Sequence, residues 1–207
     1  MRVEQLGIGD PEIAIVGGIH GDEPCGPRAI EALIQANLSV NRPVKLIVVN
    51  EKAAAQNLRY LEEDLNRVFP GDPDAKTHEG RLAHRLLQEI RGCTVFSLHS
   101  TQSYAAAFAL CDTVDTVART VVPYLSVDAL VETHGFSEGR LIEHRDVIEV
   151  ECGLQGSDNA AENGFILSKQ FLTAMGVLSG GQHPEQEIPV FRMGRAVPKQ
   201  PGERYEV

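Results

Sequence analysis

Cysteine is scarce in the sequence and is not arranged for cross-linking. Only four of the 207 residues are cysteine, and no two of them have the CxxC spacing: Cys25, Cys93, Cys111 and Cys152. Three of them lie within or beside apolar runs, where a cysteine is usually a small buried hydrophobic residue. We therefore do not expect a disulfide framework, and a chain of this length can bury a core without one.

Long apolar runs and an excess of positive charge are also missing. No window of about 18 apolar residues occurs, and the N-terminus lacks a cationic segment followed by an apolar one. The 19 basic residues are outnumbered by 29 acidic ones, which gives a net charge of −10. This balance disfavours nonspecific binding to nucleic acid or to an anionic membrane. We therefore expect a cytoplasmic protein that binds neither.

The sequence does contain a regular alternation of apolar runs, typical of buried strands, with segments of helical period. Strands are predicted at 12–18, 43–50, 93–100, 105–110, 128–133 and 147–153. Helices are predicted at 113–122, at 157–178 with Ser157 or Asp158 as N-cap, at 77–90 with Thr77 as N-cap, and from Pro27 onward. This order predicts an α/β fold of three layers, with helices on both faces of a mixed, mostly parallel sheet. Residues 1–180 would form the main domain, and 181–207 a linker and a short β-rich tail.

Three of the predicted strands end on polar residues that can bind a metal. His20 and Glu23 follow the first strand, His99 ends the strand at 93–100, and Glu151 lies late in the strand at 147–153. Ligands of open α/β sheets bind at the carboxyl ends of strands, and two imidazoles with one carboxylate suit a Zn²⁺ site that keeps a position open for water. Either histidine taken alone could instead be a hydrogen-bonded structural residue. The glycine-rich turn around His20 lacks the GxGxxG order of a phosphate-binding loop.

The segment from residue 50 to about 76 has no sustained apolar period, and irregular segments of this length inside a domain are usually functional. Within it, Asn66 and Arg67 are adjacent and precede a Phe-Pro-Gly turn. A guanidinium fork beside an amide suits the binding of a carboxylate. A solvated arginine next to a turn-forming asparagine is the alternative.

Two glutamates share one face of the strand at 147–153. Strand alternation points Glu149 and Glu151 in the same direction, towards either solvent or a cleft. One of them in a cleft would be a natural general base, since partial burial raises the pKa of a carboxyl group towards working pH. A pair of edge-strand carboxylates is the alternative.

Four motifs in one order, HGDE, DLNRVFPG, the strand end LHS and VECG, resemble the succinylglutamate desuccinylase/aspartoacylase family, which is related to the zinc carboxypeptidases. The resemblance covers residues 12 to about 178 and implies a zinc-carboxypeptidase-like fold. It implies one Zn²⁺ per chain, with three ligands: His20, Glu23 and His99.

The same resemblance implies roles for the other polar residues. Arg59 would polarise the scissile carbonyl and stabilise its oxyanion, Asn66 and Arg67 would bind the substrate carboxylate, and Glu151 would be the base that activates water. The implied reaction is hydrolysis of the amide bond of a small-molecule N-acyl amino acid.

The chain departs from the family pattern in several places. Asn50 is followed by Glu51 where the family often has proline, and Ser100 follows the third ligand where asparagine or threonine is common. An additional substrate-binding arginine has two candidates, Arg140 and Arg145. The tail is only a remnant of the second domain of longer members, so the cleft is either more open or closed by a neighbouring subunit in a homo-oligomer.

Two other functions remain as alternatives. A zinc carboxypeptidase acting on small peptides could use the same Asn66 and Arg67 pair, and a non-catalytic zinc or small-molecule binding domain would need neither Arg59 nor Glu151. The remaining five histidines lie in no comparable context and are interpreted as surface or structural residues: His78, His84, His134, His144 and His183.

Overall fold

One mixed sheet of eight strands organises the polypeptide in a computed structural model that describes residues 1–181 and 183–195. The strands are β1 (Arg2–Leu6), β2 (Ile13–Gly17), β3 (Val44–Val48), β4 (Thr94–Thr101), β5 (Phe108–Cys111), β6 (Leu130–Glu132), β7 (Val147–Leu154) and β8 (Val190–Arg192). The helices are α1 (Cys25–Gln35), α2 (Glu51–Ala54), α3 (His78–Glu89), α4 (Thr116–Val121) and α5 (Asp158–Ala174). Short 3₁₀ turns occupy Leu65–Arg67, Val122–Tyr124 and Leu141–Glu143.

The strand order is β1-β3-β2-β4-β7-β5-β6-β8. The pairs β2–β3, β2–β4, β4–β7, β5–β6 and β6–β8 are parallel, whereas β1–β3 and β5–β7 are antiparallel. The prediction of a mixed, mostly parallel sheet is confirmed.

Helices cover the sheet on both faces, which confirms the three-layer prediction. Alternate residues of β4 point to opposite sides, so Val95 joins a core that includes Leu86 of α3, while Phe96 joins the core beneath α1 and α5. On the latter side Phe96 stacks on Phe171, with ring centroids 4.6 Å apart.

The helix boundaries follow the predicted caps in two cases. Thr77 caps α3 by accepting a hydrogen bond from the N–H of Gly80, and Ser157 caps α5 by accepting one from the N–H of Ala160. Helix α5 ends at Ala174, earlier than predicted, because Gly176 adopts a left-handed φ of +69° that stops the helix.

Helix α1 begins at Cys25, two residues before the predicted start at Pro27. The proline still lies in the first turn, where its missing N–H is tolerated. Gly26 lies in the first turn of the helix, where the backbone passes very close to β2. A Cβ added to Gly17 would lie only 2.7 Å from the carbonyl carbon of Gly26. This contact fixes the turn that connects β2 to α1.

The C-terminal tail contributes one strand to the main sheet, since β8 pairs with β6 at the sheet edge. Residues 182 and 196–207 of the predicted linker and tail lie outside the described residues, and the division at residue 180 stays a prediction. All four cysteines are described, and each is buried and free of a disulfide. Over residues 1–181 and 183–195, no helix combines the length and apolar character needed to cross a membrane.

Candidate active site

The turn after β2 holds His20 and Glu23 against neighbouring backbone. Gly21 donates its N–H to the carbonyl of Arg59 at 3.0 Å, and a Cβ at this position would lie 2.3 Å from the backbone nitrogen of Ala54. Only glycine fits this close approach. The turn is therefore packed directly against the segment that carries Arg59.

Three donor groups converge at the carboxyl ends of β2 and β4. Glu23 Oε1 lies 2.7 Å from His20 Nδ1, and its Oε2 lies 3.2 Å from His99 Nδ1. One ligand atom from each of the three residues lies within 4.8 Å of the others, and each side chain is buried. Ligands about 2.0–2.2 Å from a tetrahedral ion are separated by roughly 3.3 Å, so these atoms fit a zinc ion. The arrangement is a His-x-x-Glu…His metal site of the kind typical of zinc.

The second nitrogen of each imidazole also has a partner. His20 Nε2 lies 3.0 Å from Asp64 Oδ1, and His99 Nε2 lies 3.1 Å from Ser97 Oγ. A carboxylate only accepts hydrogen bonds, so Asp64 holds a proton on Nε2, and Nδ1, which faces Glu23, is the nitrogen that would bind an ion in place of its own proton. Sequence reasoning missed Asp64, although it lies two residues before Asn66 in the same motif.

The charges of the site are strongly coupled. Burial raises the pKa of Glu23, but hydrogen bonds from His20 and His99 outweigh burial and hold the pKa well below its ordinary value. For His99, burial lowers the pKa, while the Glu149 carboxylate, followed by Glu23 and Glu151, raises it to about 10. A proton and a divalent cation would therefore compete for His99 Nδ1, the nitrogen that faces Glu23.

Arg59 lies at the rim of the three-donor cluster. Its Nη1 is 3.2 Å from Glu23 Oε1 and its Nε is 3.2 Å from Asp64 Oδ2, while 39% of its side chain stays exposed. Burial of Asp64 raises its pKa, but the hydrogen bond from His20 and then the charge of Arg59 hold that pKa well below its ordinary value. The guanidinium thus remains accessible beside the metal donors.

Asn66 and Arg67 face the same space from the irregular segment. Asn66 is 5% exposed, and its Oδ1 accepts the N–H of Leu141 at 2.9 Å, which leaves its NH₂ group for a ligand. Burial and then the positive charge of Arg140 lower the pKa of Arg67. Of the two candidate additional arginines, Arg140 lines the cavity that contains the metal donors, Asn66 and Arg67, whereas Arg145 lines separate clefts.

Glu149 and Glu151 point to the cavity side of β7, as strand alternation predicts. The parallel register pairs Ser97 with Glu149 and His99 with Glu151. Burial raises the pKa of Glu151, and its Oε2 is buried without a hydrogen-bond partner among the described residues. The reading of these residues as exposed edge-strand carboxylates does not apply, because β7 lies inside the sheet between β4 and β5.

All of the residues predicted for the site line one cavity of about 320 Å³. The predicted residues on its wall are His20, Glu23, Arg59, Asn66, Arg67, His99 and Glu151. Arg140, Glu149, Ser100, Thr101, Gln102, Leu110 and Gln155 complete the lining. The other five histidines lie elsewhere, half-buried or exposed.

The fold and the cavity together define a class of protein. A three-layer α/β sheet that carries a His-x-x-Glu…His donor set beside arginines and a partly desolvated glutamate has the groups that a metal-dependent hydrolase requires. Comparison with known proteins then identifies the family.

The chain belongs to the succinylglutamate desuccinylase/aspartoacylase family, since the model of that family's catalytic domain matches residues 9–127, more than half of the chain. Members of this family are metal-dependent amidohydrolases. The match includes the three donors and the Arg59, Asn66 and Arg67 positions, and it ends before β7.

Individual relatives agree with this assignment. Rat aspartoacylase is 32% identical over an alignment of 108 positions, and the match covers 44% of this chain and 35% of that protein. The product-bound ectoine utilization protein EutE (DoeB) from Ruegeria pomeroyi has a TM-score of 0.78 at 21% identity, covering 93% of this chain and 66% of that one. Succinylglutamate desuccinylase from Vibrio parahaemolyticus has a TM-score of 0.72 at 19% identity with the same coverage. The two structures support the fold, and the chain spans from about a third to two-thirds of these relatives.

Proposed function

We propose that the protein is a zinc-dependent deacylase that cleaves the amide bond of a small N-acyl amino acid. The observation that carries this proposal is that one cavity joins a three-donor metal site, three arginines and a buried carboxylate oxygen that has no hydrogen-bond partner among the described residues. Each of these groups matches one requirement of amide hydrolysis: an electrophile for the carbonyl, cations for the substrate carboxylate, and a base for water.

His20, Glu23 and His99 would hold one zinc ion per chain. When bound, zinc supplies Lewis acidity that polarises a carbonyl and lowers the pKa of water towards about 7. Asp64, 3.0 Å from His20 Nε2, would fix the ring with Nδ1 available for the ion, which supports the choice of these three residues as the ligands.

The arginines of the cavity would bind and orient the substrate. Arg67 and Arg140 line the same cavity, and burial and then the charge of Arg140 lower the pKa of Arg67, so an anion in the cavity would be favoured by both guanidinium groups. A carboxylate held there, with the Asn66 NH₂ group as a further donor, places the amide towards the metal donors. Arg59 at the rim then donates to the carbonyl oxygen, where negative charge develops during attack.

Glu151 would be the general base. Burial raises its pKa, which makes it a better proton acceptor near neutral pH, and it lies on the strand next to His99. It takes a proton from the attacking water and delivers it to the departing amine, so its own charge is restored when the amino acid and the carboxylic acid leave.

The test combines product analysis with metal determination. The purified protein should contain about one zinc per chain and should hydrolyse members of a panel of N-acetyl and N-succinyl amino acids, with the free amino acid measured by chromatography. Glu151→Gln should retain zinc and lose roughly 10²–10⁴-fold in kcat.

Three results would contradict the proposal in different ways. Hydrolysis of dipeptides in place of the panel would identify a carboxypeptidase. Tight binding of panel members without turnover would identify a binding domain. Wild-type turnover by Glu151→Gln would remove Glu151 from the mechanism.

A further inference from the structure

The proposed mechanism does not use Glu149, although this residue is a buried carboxylate in the wall of the cavity. It is 6% exposed, and its Oε1 is buried without a hydrogen-bond partner among the residues that the structure describes. A carboxylate removed from water needs a compensating charge or donor close by. Its nearest charge partner therefore indicates what it does.

That partner is His99. Glu149 Oε1 lies 3.8 Å from His99 Nε2, and within residues 1–181 and 183–195 this is the one contact of Glu149 close enough to count as an ion pair. The strand register explains the contact. Ser97 pairs with Glu149 and His99 pairs with Glu151, so Glu149 lies on the same face of the sheet as His99, two residues along the neighbouring strand. The carboxylate thus lies on the side of the imidazole that faces away from Glu23.

The two nitrogens of His99 therefore face different groups. Nδ1 faces Glu23 Oε2 at 3.2 Å, whereas Nε2 faces Ser97 Oγ at 3.1 Å with the Glu149 carboxylate behind it. A hydroxyl can accept or donate, so Ser97 alone leaves the position of the ring proton open. When an ion takes the place of the contact between Nδ1 and Glu23, the negative charge of Glu149 favours keeping the one ring proton on Nε2, so that the Nδ1 lone pair can bind the ion.

We propose that Glu149 is a positioning residue for the metal ligand His99: its carboxylate, together with the Ser97 hydroxyl, keeps the proton on Nε2 and Nδ1 directed at the ion. Asp64 does the same for His20 through a contact of 3.0 Å. The two imidazoles are then oriented by carboxylates from different parts of the chain, one from the irregular segment and one from β7. The inference rests on the proposed metal site and is independent of the identity of the substrate.

The test measures zinc affinity at fixed pH by competition with a chromophoric chelator. Glu149→Gln keeps the shape of the side chain and removes its charge, and it should weaken zinc binding by roughly 10–100-fold, as loss of an outer partner of a ligand typically does. Two controls should stay within a few-fold of wild type: Glu151→Gln, the neighbouring carboxylate on the same face, and Glu4→Gln, which is exposed on β1.

Further variants distinguish positioning from a general effect on folding. Glu149→Asp retains the charge and should bind zinc more tightly than Glu149→Gln. Ser97→Asp combined with Glu149→Gln should recover affinity, because Ser97 Oγ already lies at hydrogen-bond distance from Nε2.

The results separate failure of this inference from failure of the proposed function. Wild-type zinc affinity in Glu149→Gln, or a raised KM alone, would overturn the positioning role while leaving the metal site intact. Equal affinities for Glu149→Asp and Glu149→Gln would also overturn it. Absence of zinc binding by the wild-type protein would overturn the metal site itself.

Discussion

The centre of the sheet and its edge at β8 differ in burial and in chemistry. At the centre, β4 and β7 are eight residues long and mostly buried, and with β2 they carry or adjoin all three metal donors. At the edge, β6 and β8 have three residues each, and every residue of β8 is exposed. The buried polar groups at the centre contact one another, whereas polar side chains near the edge, such as those of Arg192 and His134, are largely exposed.

This difference shows why the candidate site lies where it does. Parallel strands that are covered on both faces bring their carboxyl ends together, and side chains there leave water at an energetic cost that only mutual contacts or an ion can offset. A thin exposed edge imposes no such cost. Substitutions at the centre of the sheet and at its β8 edge should therefore differ in effect, and matched pairs of variants test that expectation.

The largest difference is expected for a histidine from each region. His99→Ala should lower zinc affinity by more than the roughly 10–100-fold typical of an outer partner, because it removes a ligand. His134→Ala, just beyond β6 with 72% of its side chain exposed, should leave the zinc content unchanged. Elemental analysis after dialysis against a weak chelator measures both. Full zinc content in His99→Ala would show that the three donors do not share an ion.

Arginine substitutions should give the next largest contrast. Arg67→Ala removes charge-assisted hydrogen bonds to the substrate carboxylate, worth about 1.5–3 kcal/mol, so KM should rise by roughly 10–150-fold. Arg192→Ala in β8 is the matched control, since its side chain is 80% exposed, and it should leave KM unchanged. Steady-state kinetics on the best N-acyl substrate decides, and an unaltered KM in Arg67→Ala would exclude its binding role.

A buried carboxylate of α3, close to the candidate site, should contribute to the free energy of unfolding. Glu79 is fully buried and accepts hydrogen bonds from Asn50 Nδ2 at 3.0 Å and from the N–H of Leu61 at 2.8 Å, which anchors the segment that carries Arg59. Glu79→Gln should lower the free energy of unfolding by about 1.5–3 kcal/mol at pH 7, measured by urea titration.

The same carboxylate gives this loss a definite pH dependence. Burial raises the pKa of Glu79, but the backbone N–H of Leu61 and then Asn50 outweigh burial, so its pKa in the folded protein is lowered. Its contribution is therefore complete above the unfolded pKa of about 4.3 and is lost as the pH falls through the lower folded value. A difference between wild type and Glu79→Gln that grew on acidification would contradict this explanation.

The smallest effect is expected at the exposed edge. Phe191 in β8 is 59% exposed, so Phe191→Ser should change the free energy of unfolding by less than about 0.5 kcal/mol and should leave kcat and KM unchanged. Thermal unfolding and kinetics under identical conditions test this. A clear loss of activity would mean that the edge near β8 takes part in closing the cleft.

The sequence predicted what depends on local pattern. Apolar periodicity located β2 to β7 and the main helices, whereas β1 was not predicted. His20, Glu23 and His99 were identified because each stands at the end of a predicted strand or just beyond it. Alternation along β7 correctly placed Glu149 and Glu151 on one face.

Long-range placement was beyond the sequence. The contact between Asp64 and His20 joins residues 44 apart, and no period reports it. Arg140 and Arg145 could not be separated, because the 3₁₀ turn at Leu141–Glu143 decides which of them lines the cavity. The start of α1 was missed because glycine has a poor helix propensity, while packing against Gly17 requires glycine at residue 26.

The close backbone contact between Gly17 and Gly26 makes the affinity of the metal site depend on the distance between β2 and α1. A methyl group at Gly17 would push β2 and the first turn of α1 apart, because it would lie 2.7 Å from the carbonyl carbon of Gly26. Glu23 would shift with that turn while His99, on another strand, would keep its place. We therefore expect such a substitution to weaken metal binding at conditions in which the domain is still folded.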